Sequence, residues 1–229
     1  MLTHHAYSVQ LQIRSYWDRR SAVYQWHAST LFARRRKIFH LLSNHCGLQP
    51  GNVILDLGCG PGFFSSVLKS ADVRLLGIDL SRDMIKVAKR RFGDRHTFFT
   101  SDATNIALKD CAVHGIVCRH LVWTIPDEES LVREIHRVLK PGGFVFLIDG
   151  YCPGENLQKI RFNNVLSSIW DKVVFTIGHG RESKRLSAKN RWIEKNLRNF
   201  GTSKAPLVLA LLQSLGFTIQ CFVDHAEPL

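Results

Sequence analysis

Val53-Ile-Leu-Asp56-Leu-Gly58-Cys59-Gly60-Pro-Gly62-Phe-Phe64 is the stretch of this 229-residue chain on which its reading turns. Val53 to Leu57 is a short apolar run, as expected of a parallel strand buried on both faces. It leads directly into three glycines spaced two apart, and Phe63 to Ser70 then reads as a helix. Glycine is used where a backbone must approach a ligand, because a Cβ would clash and positive φ is accessible. A dinucleotide fingerprint counted from Gly58 would need its third glycine at position 63, which is Phe63, so the loop does not fit a pyrophosphate. It also lacks the lysine of a P-loop.

Outward from that loop, strands and helices alternate. Val73 to Ile78 is a second strand ending at Asp79-Leu80. Ser81 can cap the next helix, with Asp83 in its first turn and Met84, Ile85, Ala88 and Phe92 on its inner face. Thr97 to Thr100 is a third strand, followed by Ser101-Asp102-Ala103, and His114 to Cys118 is a fourth. Asp127 opens a helix with Leu131, Ile135, Val138 and Leu139 on one face. Lys140-Pro-Gly-Gly143 stops it before a fifth strand, Phe144 to Ile148. This alternation implies an α/β fold built on a doubly wound, mostly parallel sheet. Residues 1–50 read as helices, with Val9, Ile13, Tyr16 and Trp17 at helical spacing and a basic cluster at Arg34 to Lys37. Residues 155–204 read as a helical basic insert, with Ile160, Phe162, Val165, Leu166, Ile169 and Trp170 on one helix face. A helix from Leu207 to Leu215 and a strand from Phe217 to Val223 follow.

Ligands of open α/β sheets bind at the carboxyl ends of the strands. Asp79 stands there, 23 positions after Asp56, where an acid can accept both hydroxyls of an adenosine ribose. Asp102, after the third strand, could accept from an adenine amino group. Each aspartate alone could be a cap or turn former. Three signals at three successive strand ends argue for a site.

Together these stretches resemble the class I S-adenosylmethionine-dependent methyltransferases, most of all their broad small-molecule, type 11-like branch. The resemblance covers residues 50–150 and includes Gly77-Ile-Asp79-Leu80-Ser81 and Arg137-Val-Leu-Lys-Pro-Gly-Gly143. It implies S-adenosyl-L-methionine as cofactor. Gly58, Cys59, Gly60 and Gly62 would line the methionine moiety, Asp79 with Leu80 the ribose, and Asp102 with Ala103 the adenine. Asp56 would position the loop or the cofactor's amino group. Tyr16 and Trp17 would belong to a helical lid. Arg119 and His120, after the fourth strand, would face the methyl acceptor, His120 as candidate base and Arg119 as partner of an acceptor carboxylate or of the cofactor. Trp123 reads as packing. His179, Arg181, Lys184 and Arg185 lie where the family places acceptor recognition and could hold an anionic acceptor.

The resulting organisation is a single domain: lid 1–50, cofactor core 51–150, acceptor-side insert 151–204, last helix and strand 205–229. Two features depart from the family pattern. The fourth strand opens with Val113-His114 instead of Phe-Asp. Only six residues follow Val223, too few for the usual antiparallel last strand. That strand is expected to be missing, its place taken by a partner chain or by residues 155–204.

Composition narrows the alternatives. Lys and Arg number 31 against 19 Asp and Glu, a net charge of +12, and residues 155–204 hold eleven of the bases and four of the acids. Such an excess keeps open an RNA methyltransferase. A catalytically inactive cofactor-binding protein is the other alternative, and Phe63 argues against an NAD-dependent oxidoreductase. The six cysteines include no C-x-x-C pair, so they read as reduced thiols with no metal site. No apolar run approaches the ~20 residues that cross a bilayer, and residues 1–10 have no apolar core. The expectation is a cytoplasmic protein acting on a small molecule.

Overall fold

The computed structural model describes residues 4–29, 32–150, 172–178 and 205–223. Two helices come first, α1 (His4–Ser29) and α2 (Phe32–His45). The alternating core follows as β1 (Val53–Leu57), α3 (Phe63–Val67), β2 (Arg74–Asp79), α4 (Arg82–Phe92), β3 (Thr97–Thr100) and β4 (Val113–Arg119). A 3₁₀ turn at Val122–Thr124 leads to α5 (Glu128–Val138) and β5 (Leu139–Gly150). The later elements are β6 (Lys172–Gly178), α6 (Ala205–Ser214) and β7 (Thr218–Val223).

The described strands form one sheet in the order β3-β2-β1-β4-β5-β6-β7, and every pairing is parallel. Each face is covered, which is why β1 carries almost no polar residue. Side chains alternate between faces along a strand. Leu55 and Leu57 point into a core shared with Leu131, Ile135 and Val138 of α5 and Val208 and Leu212 of α6. Ile54 points the other way, to Leu42 of α2, Phe64 and Val67 of α3, and Ile85 and Ala88 of α4.

Caps fix where the helices start. The Ser81 hydroxyl oxygen accepts from the Met84 N–H at 3.1 Å, and Asp127 Oδ1 accepts from the Ser130 N–H at 3.0 Å. Such caps stabilise a helix by about 1 kcal/mol each. Arg137, in the last turn of α5, ties the chain before β4 to the helix. Its guanidinium donates to the carbonyls of Ile106 and Leu108, each at 2.8 Å, and to Glu134 and Asp110.

The sequence reading needs two corrections. Residues 172–178 are a strand and not part of a helical insert. A run of β-branched and aromatic residues, Val173-Val-Phe-Thr-Ile177, suits a pleated surface better than a helix. This strand lies beside β5, where the missing antiparallel strand was expected, and pairs parallel. Of the two ways to fill that gap, a segment from within 155–204 is therefore the one seen. Second, Lys140 to Gly143 lies within β5. α5 ends at Val138, and the excursion leaves a register shift against β4 with Gly142 at φ +76°. The helix expected at 160–170 and the basic residues His179, Arg181, Lys184 and Arg185 lie outside the described residues.

Candidate active site

β1 pairs with β2 on one side and β4 on the other, so the chain reverses direction across the sheet at this point. An open α/β sheet binds ligands in the crevice outside the carboxyl ends of the strands at such a switch point. A cavity occupies it. Its lining includes Asp56, Gly58, Cys59, Gly60, Asp79 and Leu80, and also Asp102, Ala103, Arg119 and His120.

The glycine loop is tied to β2. The Cys59 N–H donates to the Ile78 carbonyl at 2.9 Å, and the Gly60 N–H donates to Asp79 Oδ2 at 2.9 Å. Gly60 has φ +51°, and a Cβ there would meet nothing within 4 Å. The loop thus presents bare backbone to open space. Gly62 is different. It caps α3 at φ +91°, and a Cβ would come within 2.7 Å of the Phe92 ring. Its role is turn and packing, and it is not among the cavity-lining residues.

Three carboxylates lie along the cavity. Asp56 is 1 % exposed, and its Oδ2 has no hydrogen-bond partner among the described residues. Burial, and then the charge of Asp79, push its pKa well above the usual carboxylate value. Burial also pushes the Cys59 thiol up, aided by Asp56 and Asp79, which keeps it protonated. Asp79 takes two N–H donors, Gly60 on Oδ2 and Ser81 on Oδ1 at 2.8 Å. Burial nevertheless raises it to about 6, the two N–H groups pulling down and Asp18 pushing up. Asp102 Oδ1 accepts from the Thr104 N–H at 2.9 Å and its Oδ2 from Gln10 Nε2 at 2.5 Å.

The opposite wall comes from the end of β4. The Arg119 guanidinium stacks on the Phe63 ring, 4.3 Å from its centroid. His120 adopts φ +55°, a left-handed conformation uncommon outside glycine, and its N–H donates to the Ile148 carbonyl at 2.9 Å. Burial, and then the Arg119 charge, lower its imidazole to about 3, so the ring is neutral at working pH.

α1 lies across the mouth. Gln10, Ile13 and Trp17 line the cavity, and the Trp17 ring meets Trp123 edge-on at 5.9 Å. Tyr16 is not among the lining residues. It packs edge-on against Trp17 at 5.1 Å, and its hydroxyl accepts from Arg20 at 2.6 Å. Among the described residues, Tyr16 and Gly62 are therefore the two sequence-predicted site residues that the cavity does not collect. Sequence reasoning missed Gln10, Met84 and the turn Thr124-Ile125-Pro126. For Gln10 a signal existed, because Gln10, Ile13 and Trp17 share one helix face at spacings of three and four. Among the described residues no cluster of three His, Cys, Asp or Glu could hold a metal.

Comparison with known proteins gives a consistent result. A family described as "Methyltransferase domain" matches residues 55–147. The demethylmenaquinone methyltransferase of Chlorobaculum tepidum is 29% identical over 160 residues, which cover 66% of each protein. The malonyl-[acyl-carrier protein] O-methyltransferase of Serratia marcescens is 31% identical over 97 residues, 42% of this chain and 38% of the relative. An arsenite methyltransferase of Aquipseudomonas alcaligenes is 30% identical over 133 residues, 38% of its length. The chain thus spans between about two fifths and two thirds of these curated relatives. A solved Methanococcus maripaludis structure, described as an S-adenosyl-L-methionine-dependent methyltransferase, superposes with a TM-score of 0.58. It covers 87% of this chain and 84% of its own at 24% identity, a likeness of fold. The strand-end acids and the whole glycine loop fall within residues 55–147, and over that stretch the likeness to class I S-adenosylmethionine-dependent methyltransferases expected from the sequence is found again in the methyltransferase domain match.

Proposed function

We propose that this protein transfers a methyl group from S-adenosylmethionine to a small-molecule acceptor. The observation that carries the reading is Asp56 Oδ2, a buried acceptor in the cavity lining without a partner among the described residues. A buried carboxylate atom left unsatisfied is costly and calls for a donor or a cation. The cofactor's ammonium supplies one, and Asp56 is then stabilised in its charged form.

The remaining residues fit the same ligand. Both Asp79 oxygens already accept one N–H, but each keeps a second lone pair for a ribose hydroxyl. Gly58 and Gly60 let the methionine chain lie against bare backbone. Asp102 and Ala103 border the adenine, with Leu80 packing beneath the sugar. When bound, the cofactor supplies an activated methyl group on a sulfonium, so transfer needs alignment more than acid–base power. Ile13 and Trp17 of α1 exclude water from that line. His120, held neutral, accepts a hydrogen bond from the acceptor's O–H or N–H and orients its lone pair. The Arg119 guanidinium, stacked on Phe63, gives the acceptor side a positive wall suited to an anionic group. In this reading residues 51–150 are the cofactor core and residues 1–50 its lid.

The test is transfer of label from S-adenosylmethionine, radiolabelled in its methyl group, to a panel of small carboxylates, phenols, quinols and thiols, with total RNA as a further arm. Label in a small molecule supports the reading. Label in RNA alone, or cofactor binding with no transfer to any acceptor, overturns it.

A further inference from the structure

We propose that Asp18 of α1 is a positioning residue: through Ser81 it holds Asp79, so that docking of α1 sets how the cavity receives the cofactor's ribose. The inference rests on the cofactor reading above and concerns a residue that lines no part of the cavity.

Two side chains of α1 anchor it across the mouth. Gln10 donates to Asp102, just after β3, at 2.5 Å, and Asp18 Oδ1 accepts from Ser81 Oγ at 2.5 Å and from the Asp83 N–H at 3.3 Å. Eight residues of helix rise about 12 Å, so the anchors straddle Ile13 and Trp17, the side chains facing the cavity. The second anchor continues inward. Ser81 gives its hydroxyl proton to Asp18 and accepts from Met84 N–H, which fixes the first turn of α4. The Ser81 backbone N–H then donates to Asp79 Oδ1, and Asp79 Oδ2 holds the Gly60 N–H. One line of hydrogen bonds therefore runs from α1 through the start of α4 and the end of β2 to the glycine loop.

The line has a chemical consequence. With Asp18 removed, the Ser81 hydroxyl becomes a free donor two residues from Asp79. It can then turn to that carboxylate and compete with the ribose hydroxyls. The charge matters as well. Asp56, Cys59, Asp102 and His120 are the titratable groups that line the cavity with Asp79, and Asp18 and Asp83 meet where α1 packs on the start of α4. Arg14 is a nearby cation, 3.9 Å from Asp18, and Arg119 is another on the cavity wall. Burial is the main cause that raises Asp79, and the charge of Asp18 adds to it. Closing α1 thus aligns the acid and makes it harder to ionise.

The test is calorimetric titration of S-adenosylhomocysteine into wild type, Asp18→Asn and Asp18→Ala from pH 5 to 8.5. Wild-type affinity is expected to fall towards acid pH as Asp79, raised to about 6, and Asp56, also raised by burial, take up protons. The asparagine keeps an oxygen for Ser81 and Asp83 but carries no charge. Its affinity at pH 8 should lie within about twofold of wild type, with the pH midpoint displaced to lower pH. The alanine variant should bind about fivefold more weakly at pH 8, equivalent to one hydrogen bond of about 1 kcal/mol, with the same displacement. An unmoved midpoint in both variants, with or without a lower melting temperature, overturns the inference and leaves Asp18 a helix cap. A wild type that binds at no pH overturns the cofactor reading too, before Asp18 enters.

Discussion

Replacing Asp79 by asparagine should weaken the site while leaving the fold intact or firmer at alkaline pH. A carboxyl that titrates at about 6 in the fold instead of 3.8 costs the folded state about 3 kcal/mol when ionised. Asparagine removes that cost. It also sets an N–H₂ or an oxygen against the Gly60 N–H, and losing that one bond costs about 1–3 kcal/mol. The net at pH 8 is then a change between about zero and a gain of 2 kcal/mol. The sign with pH follows from the raised pKa. The wild type holds this contribution fully below the unfolded value near 3.8 and loses it as pH rises through about 6. By pH 5 it has regained about 1.4 kcal/mol relative to pH 8, whereas the variant regains nothing. The difference in melting temperature between the two should therefore move about 3–6 °C in favour of the wild type on going from pH 8 to pH 5. Taking the difference cancels acids with lowered pKa, such as Asp127 and Glu134, which respond the opposite way. Thermal unfolding of both proteins at the two pH values is the assay, with S-adenosylhomocysteine binding alongside. Binding should fall at least about tenfold with the lost charged acceptor. A pH-independent difference in melting temperature, or a variant more than about 3 kcal/mol less stable at pH 8, would refute the account of Asp79.

Three further outcomes follow from the geometry. Gly60→Ala should cost about 1–2 kcal/mol from left-handed strain alone and reduce cofactor affinity; Gly62→Ala should cost more stability, because its Cβ meets Phe92 at 2.7 Å. Urea unfolding of the pair measures this, and equal losses would contradict it. Arg137→Ala should lose about 2–3 kcal/mol by removing the donor to the Leu108 carbonyl, one of the two donors to the Ile106 carbonyl, and the partner of Glu134; Arg137→Lys should recover little, since one ammonium cannot replace the fork, and full rescue by lysine would count against that reading. His120→Asn should leave the shape of the kcat profile between pH 5 and 9 unchanged, because the imidazole is held at about 3; disappearance of a limb near 6.5, the ordinary histidine value, would show a titrating base instead.

The core of the fold was legible because local and global signals agree there. β1 reads as buried on both faces, and the structure packs Ile54 and Leu55 into opposite cores. Ser81 and Asp127 read as caps and are caps. Asp79 and Asp102 were legible as strand-end acids, since strand ends are where a parallel sheet opens. Gly62 was not separable from Gly60 by sequence, because positive φ serves a turn and a ligand cradle alike. Tyr16 and Trp17 are adjacent on α1, and only the packing against Leu80 and Trp123 decides which of the two faces the cavity. β6 was hidden because its Val-Val-Phe-Thr-Ile run sits within a basic, polar stretch, and its partner β5 lies more than twenty residues away. The Gln10–Asp102 and Asp18–Ser81 contacts join residues 92 and 63 positions apart, separations for which one sequence carries no local signal.

The most direct measurement is calorimetric titration of the wild-type chain with S-adenosylmethionine and S-adenosylhomocysteine at pH 8, beside Asp79→Ala. Micromolar binding of both ligands at one site per chain, lost in the variant, is the predicted result. A folded wild type that binds neither, or a variant that binds both unchanged, would contradict the claim that this cavity is a cofactor site.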